Sequence, residues 1–151
     1  MTTRLSEYFT LEEMILSQTA ARRGYDNRPA EPIVRRLAAL CREVLDPARE
    51  HLGPLRISSG YRSPALNAAV GGSRSSAHCL GYAADVIPLQ STKRELAWWL
   101  SKNVAFDQLI LEFGTPEEPA WIHVSIDPRL RGQILRADQD GIRGFGPIPK
   151  L

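Results

Sequence analysis

Apolar residues recur at helical spacing early in the chain. Ile33, Leu37, Leu40, Cys41, Val44 and Leu45 fall on one stripe of a 3.6-residue helix. Pro32 suits the first turn of that helix, Pro47 is placed to kink or split it, and Gly53 to end it. Ahead of it, Thr10 and Glu13 form a capping-box pattern and Gly24 is a plausible C-terminal cap, which predicts one helix over residues 11–23. LRISS, 55–59, reads as a short strand. Ser63 and Pro64 then open a short helix through Ala69. VGGSRSSAHCLGY has no period and reads as a loop, and AADVIP, 83–88, as a buried strand. Thr92 and Glu95 form a second capping box, before Leu96, Trp98, Trp99 and Leu100. The period then changes to two. FDQLILEF and AWIHVSID, 106–113 and 120–127, are strands joined as a hairpin by GTPEEP, and QILRA, 133–137, is a candidate further strand. The tail from about 138 to 151 is rich in Gly and Pro and is expected to be irregular. Helices come first and paired strands last. The expected class is therefore α+β, one domain over 1–151 with helices packed on a small, mainly antiparallel sheet.

The strand alternation separates core from chemistry. In AWIHVSID, Ile122, Val124 and Ile126 share an apolar face, so Trp121, His123 and Ser125 are displayed on the other. In FDQLILEF the face opposite Leu109 and Leu111 carries Phe106, Gln108, Ile110 and Glu112. Asp85 projects from AADVIP, and His78 comes from the loop before it. Two imidazoles and a carboxylate are a common catalytic zinc set with one position left open. Zinc there lowers the pKa of bound water toward ~7 and polarises a carbonyl. A further carboxylate must then accept the proton, and Glu112 fits by its sheet face. Glu117 and Glu118, in the turn, read as solvated charges. The spacing alone equally suits hydrogen-bonded structural histidines. His51, near a helix C-terminus, is accounted for by the helix dipole.

Composition changes this picture little. Hydrophobic residues at 43% and charged residues at 24% are those of an ordinary globular chain, and a net charge of +2 is too weak to argue for nucleic acid. Such a surface would suit an anionic polymer such as a cell wall. Two cysteines, Cys41 and Cys79, make no disulfide framework and read as reduced thiols. Consecutive side chains diverge, so Cys79 is read as loop packing beside His78, not as a ligand. No apolar run approaches the ~20 residues of a membrane span, and MTTRLSEYFTLEEM lacks the apolar core of a signal peptide. Synthesis in the cytoplasm without a signal peptide is expected, with no stable membrane insertion.

The segment SGYRSPALNAAVGGSRSSAHCLGYAADV, 59–86, resembles the zinc D-Ala-D-Ala carboxypeptidase and peptidoglycan endopeptidase family, whose fold is of the hedgehog and DD-peptidase type. Its pattern is S-G-Y-R-S, then S-x-H with Asp seven residues on, then W-x-H; here these are Ser59 to Ser63, Ser76 with His78, Asp85, and Trp121-Ile122-His123. LSEYFTLEEM and FDQLILEF look like its short, phage-type branch, and the resemblance covers about residues 5–127. It implies a Zn²⁺ held by His78, Asp85 and His123, with Arg62 holding a substrate carboxylate or the developing oxyanion. Ser76 would bind substrate or orient the loop. Some members place the catalytic Glu three residues before the last histidine, where this chain has Ala120, so Glu112 is the nearest matching acid. Gly81 and its small neighbours are expected to let the backbone turn close to the metal. The function implied is hydrolysis of the peptidoglycan peptide stem, as carboxypeptidase or endopeptidase, by a monomeric phage or prophage lysin delivered to the wall by a holin or a virion. The other reading is a non-catalytic phage structural or wall-binding protein that keeps fold and metal.

Overall fold

The computed structural model describes residues 2–150. Thr10 caps α1 (Leu11–Ile15) by accepting the Glu13 N–H, and Gly24 closes α2 (Gln18–Arg23) in the left-handed conformation. The single helix expected over 11–23 is thus two. Leu16 is extended, and Ser17 restarts the chain by accepting the Ala20 N–H. The cause of the break is long-range. The Met14 carbonyl accepts the Tyr61 N–H at 2.7 Å and the Ile15 carbonyl accepts from Asn27 Nδ2 at 2.8 Å, so α1 gives up continuation to anchor a distant segment.

The next helix, α3 (Glu31–Leu40), runs through a π turn at Cys41–Leu45 into α4 (Asp46–Leu52). The wide turn lies just before Pro47, where a missing N–H and a bulky ring disrupt i→i−4 bonding, so the helix passes the proline without stopping. Leu37, Leu40, Cys41, Val44 and Leu45 are all buried, as the helical stripe requires. There follow β1 (Leu55–Ser59), α5 (Pro64–Ala69) capped by Ser63, a 3₁₀ turn at Ala77–Leu80, β2 (Ala83–Pro88), and α6 (Lys93–Asn103) capped by Thr92.

The last four strands are β3 (Gln108–Glu112), β4 (Trp121–Ser125), β5 (Gln133–Asp138) and β6 (Gly141–Gly144). The six strands form one sheet in the order β1-β2-β4-β3-β5-β6, antiparallel except for β3 with β5. This is the α+β architecture with a mainly antiparallel sheet that the element order implied. The tail departs from its expected irregularity. Gly141–Gly144 pairs with β5, Asp138 anchors Arg143 through two hydrogen bonds, and Ile148 is buried in the core. The ion pair and the buried side chain compensate for the low strand propensity of glycine.

Register positions the site. Asp85 stands opposite His123, and His123 opposite Ile110, so one row crosses β2, β4 and β3. The alternate rows, Ala84, Val86, Ile122, Val124, Leu109 and Leu111, are fully buried against the helices. Each large side chain among them contributes about 1.5–3 kcal/mol by burial.

Candidate metal centre

Three ligating atoms, one each from His78, Asp85 and His123, lie within 4.8 Å of one another. Two come from the row just described and the third from the 3₁₀ turn that leads into β2. Asp85 Oδ1 is 3.3 Å from His78 Nε2 and 3.1 Å from His123 Nδ1. The two rings meet edge to face with centroids 5.1 Å apart. All three side chains are buried.

Each ligand is oriented from behind. His78 Nδ1 lies 2.7 Å from the Gly60 carbonyl, which turns Nε2 toward the cluster. Gly60 is held in turn against α1, where an added Cβ would sit 2.3 Å from the Met14 carbonyl oxygen. Asn27 locks the same turn. Its Nδ2 donates to the Tyr61 carbonyl at 3.0 Å and its Oδ1 accepts the Ser63 N–H at 2.7 Å. The Arg62 N–H closes the arrangement by donating to the His78 carbonyl at 3.2 Å. Sequence reading missed Asn27, because no local pattern ties it to residues 61 and 63. Gly81, expected to let the backbone turn close to the metal, is left-handed and approaches α3 instead: an added Cβ would lie 2.9 Å from Ile33 Cγ2.

The electrostatics match the donor set. Burial opposes the charged form of Asp85, yet the flanking His78 and His123 hold its carboxyl well below the ordinary carboxylate range. A carboxylate kept ionised between two imidazoles, one of them with its outer nitrogen on a backbone carbonyl, is a set of donors that could hold a divalent cation. Glu112 lies beside it, its Oε1 3.9 Å from His123 Nδ1. Burial and the Asp85 charge push the Glu112 carboxyl up, while His123, Trp121 and Arg62 pull it down less strongly.

The cluster is part of the floor of a cleft of about 620 Å³ that Arg62, Ser76, Glu112, Trp121 and Arg129 also line. Arg62 is half-buried, and its Nε is buried without a hydrogen-bond partner among the described residues. Ser76 caps the 3₁₀ turn by accepting the His78 N–H at 3.2 Å. Glu117 and Glu118, read as solvated charges, are exposed in the β3–β4 turn. Asp107 also lines the cleft but is occupied by two hydrogen bonds from the Arg131 guanidinium. His51 stacks on Trp99. Cys79 and Cys41 are free thiols outside the cluster, and burial pushes Cys41 up to about 12.

Among the described residues no helix is long and apolar enough to cross a membrane. No curated protein matches the chain. A model of the Peptidase M15 family matches residues 7–125, a span that contains the whole cluster, Glu112 and the turn that orients His78. On that match the chain belongs to the Peptidase M15 family, a family of metal-dependent peptidases, and its buried His-Asp-His cluster is the group that could bind the metal.

Proposed function

We propose that the protein is a zinc peptidase that hydrolyses the peptide stem of peptidoglycan. The observation that carries this reading is the placement of Glu112 beside the His78, Asp85 and His123 cluster within one cleft. His78, Asp85 and His123 would hold the metal, and a zinc bound there would supply Lewis-acid polarisation of the scissile carbonyl and acidify a water. Glu112 accepts the proton and delivers it to the leaving amine. Arg62 holds a substrate carboxylate or the oxyanion, through a planar fork whose buried Nε has no hydrogen-bond partner among the described residues. Ser76 keeps the His78 turn in shape at the cleft wall and offers a hydroxyl to substrate.

The stem's free carboxylates are the chemistry Arg62 would recognise. Assignment to a phage or prophage lysin rests on the likeness of LSEYFTLEEM and FDQLILEF to the short phage-type branch. An acid beside the cluster favours turnover over a non-catalytic wall-binding role. The test is to incubate purified muropeptides with the protein, with and without a chelator, and to identify the products by mass. Chelator-sensitive loss of a terminal D-Ala or cleavage within the stem is expected. Intact muropeptides in every arm would refute the reading.

A further inference from the structure

Beyond Arg62 the cleft does not end. A second groove of about 430 Å³ shares Arg62 and Val70 with it and follows β1 to Arg56 on one side, with Leu16 and Gln18 on the other. Register puts this groove on the working side of the sheet: Ser59 stands opposite Asp85, and Arg56 opposite Ile87, which shares a face with Asp85. The register shifts between Ile57 and Ser59, the kind of irregularity found where a strand edge is re-aimed next to a site.

Three properties of the groove point to one kind of occupant. First, β1 is the edge of the sheet, and among the described residues its backbone pairs with β2 alone, leaving outward N–H and C=O groups free. An extended peptide can add to such an edge. Second, the groove is cationic. Arg56 and Arg62 line it, no Asp or Glu does, and neither arginine forms an ion pair among the described residues. The acids of the main cleft, Asp85, Asp107, Glu112 and Asp127, lie outside it. Third, Leu16 and Val70 are 73% and 43% exposed, so the walls offer apolar contact.

We propose that this groove is an extended substrate subsite, in which a peptide carrying free carboxylates lies along β1 and places an anionic group on Arg56 while its scissile bond lies at the metal cluster. The inference rests on the peptidase reading and deepens it. It makes a long, anionic peptide the preferred substrate over a bare terminal dipeptide.

The experiment compares wild type, Arg56→Gln and Arg56→Glu on three synthetic substrates: a full stem peptide with free carboxylates, the same peptide with its carboxylates amidated, and a short acylated dipeptide. Arg56 is exposed and makes no ion pair among the described residues, so its variants are expected to fold as the wild type does. Arg56→Glu is expected to raise KM for the free-carboxylate peptide about tenfold, the worth of one charge-assisted contact, with kcat unchanged. Amidation, which also removes the carboxylate that Arg62 would hold, should cost the wild type at least as much, and the short dipeptide should not distinguish the variants. Titrating the free-carboxylate peptide into the Glu112→Gln protein should shift the backbone amide resonances of residues 56–59. An Arg56→Glu protein that handles the long peptide like wild type, an equal loss on the short dipeptide, or unmoved β1 amides would overturn the subsite while leaving the peptidase reading intact. A wild type that cleaves none of the three would overturn both.

Discussion

On one face of β2, β4 and β3 lie Ala84, Val86, Ile122, Val124, Leu109 and Leu111, all without solvent exposure. On the other, displaced by a single residue along the same strands, lie Asp85, His123 and Glu112. The apolar face is held by non-directional burial, which tolerates exchange among side chains of similar volume. The polar face is held by directional contacts among groups that carry protons. Asp85 Oδ1 is shared between His78 and His123, so removing one group leaves others buried and unpaired. Leu111 and Glu112 are adjacent residues that belong to these two regimes. Stability should be set mainly by the first face, and chemistry, metal response and pH response by the second.

The sharpest break between the two faces is expected at Glu112. Glu112→Gln keeps the shape and removes the proton acceptor, so turnover should fall by ~10²–10⁴-fold while the fold and metal content are retained. Steady-state rates on muropeptides and metal analysis of the same preparation check this. If Glu117→Gln or Glu118→Gln abolishes activity instead, the acid lies in the exposed turn.

Metal removal comes next. A ligand that binds only the folded state stabilises it by about 4 kcal/mol at a thousand times its dissociation constant. Zinc should therefore raise the melting temperature of the wild type, a chelator should reverse the rise, and His123→Ala should show neither. Equal zinc responses in wild type and His123→Ala would place the metal elsewhere.

Leu111→Ala is the mirror experiment. A buried leucine truncated to alanine costs about 2–5 kcal/mol. The denaturation midpoint should drop accordingly, while zinc stoichiometry and the rate per folded molecule are retained. A Leu111→Ala protein that stays folded but loses its chemistry would show that the two faces are coupled through the strand.

The smallest effect is the pH response of the metal-free protein. The Asp85 carboxyl is depressed, so its contribution to stability is present above the ordinary aspartate value near ~3.9 and fades as pH falls below it. Glu112 is raised, chiefly by burial, so its contribution is present below ~4.3 and is lost as pH rises through its folded value. Glu112→Gln should therefore gain stability relative to wild type on going from acid to neutral pH, and Leu111→Ala should keep the wild-type pH profile. Thermal melts at a series of pH values read this directly; a Glu112→Gln profile parallel to wild type would count against the raised carboxyl.

Much of this division was legible in the amino-acid order. The period of two in WIHVS placed Ile122 and Val124 inward and His123 on the displayed face, and the same logic separated Leu109 and Leu111 from Glu112. The caps at Thr10, Ser63 and Thr92 were also readable, because a cap is made with a backbone N–H three residues away. The break at Leu16 was not readable, since it depends on Tyr61 and Asn27 capturing the carbonyls of Met14 and Ile15. Nor was the strand at Gly141–Gly144, whose glycines argue against it until Asp138, Arg143 and Ile148 are in place.

By itself, then, the sequence determined what is short-range: which residues begin helices, which face of each strand is apolar, and which side chains have the chemistry to bind a metal. Only the tertiary structure decided that Asp85 and His123 share one row, that the Gly60 carbonyl turns His78 toward them, and that Asn27 fixes Gly60 in place through its neighbours. The reason is physical. Propensity and alternation act over a few residues, whereas a ligand set closes only when strand register and hydrogen bonds bring together residues that lie tens of positions apart, and no local pattern encodes those pairings.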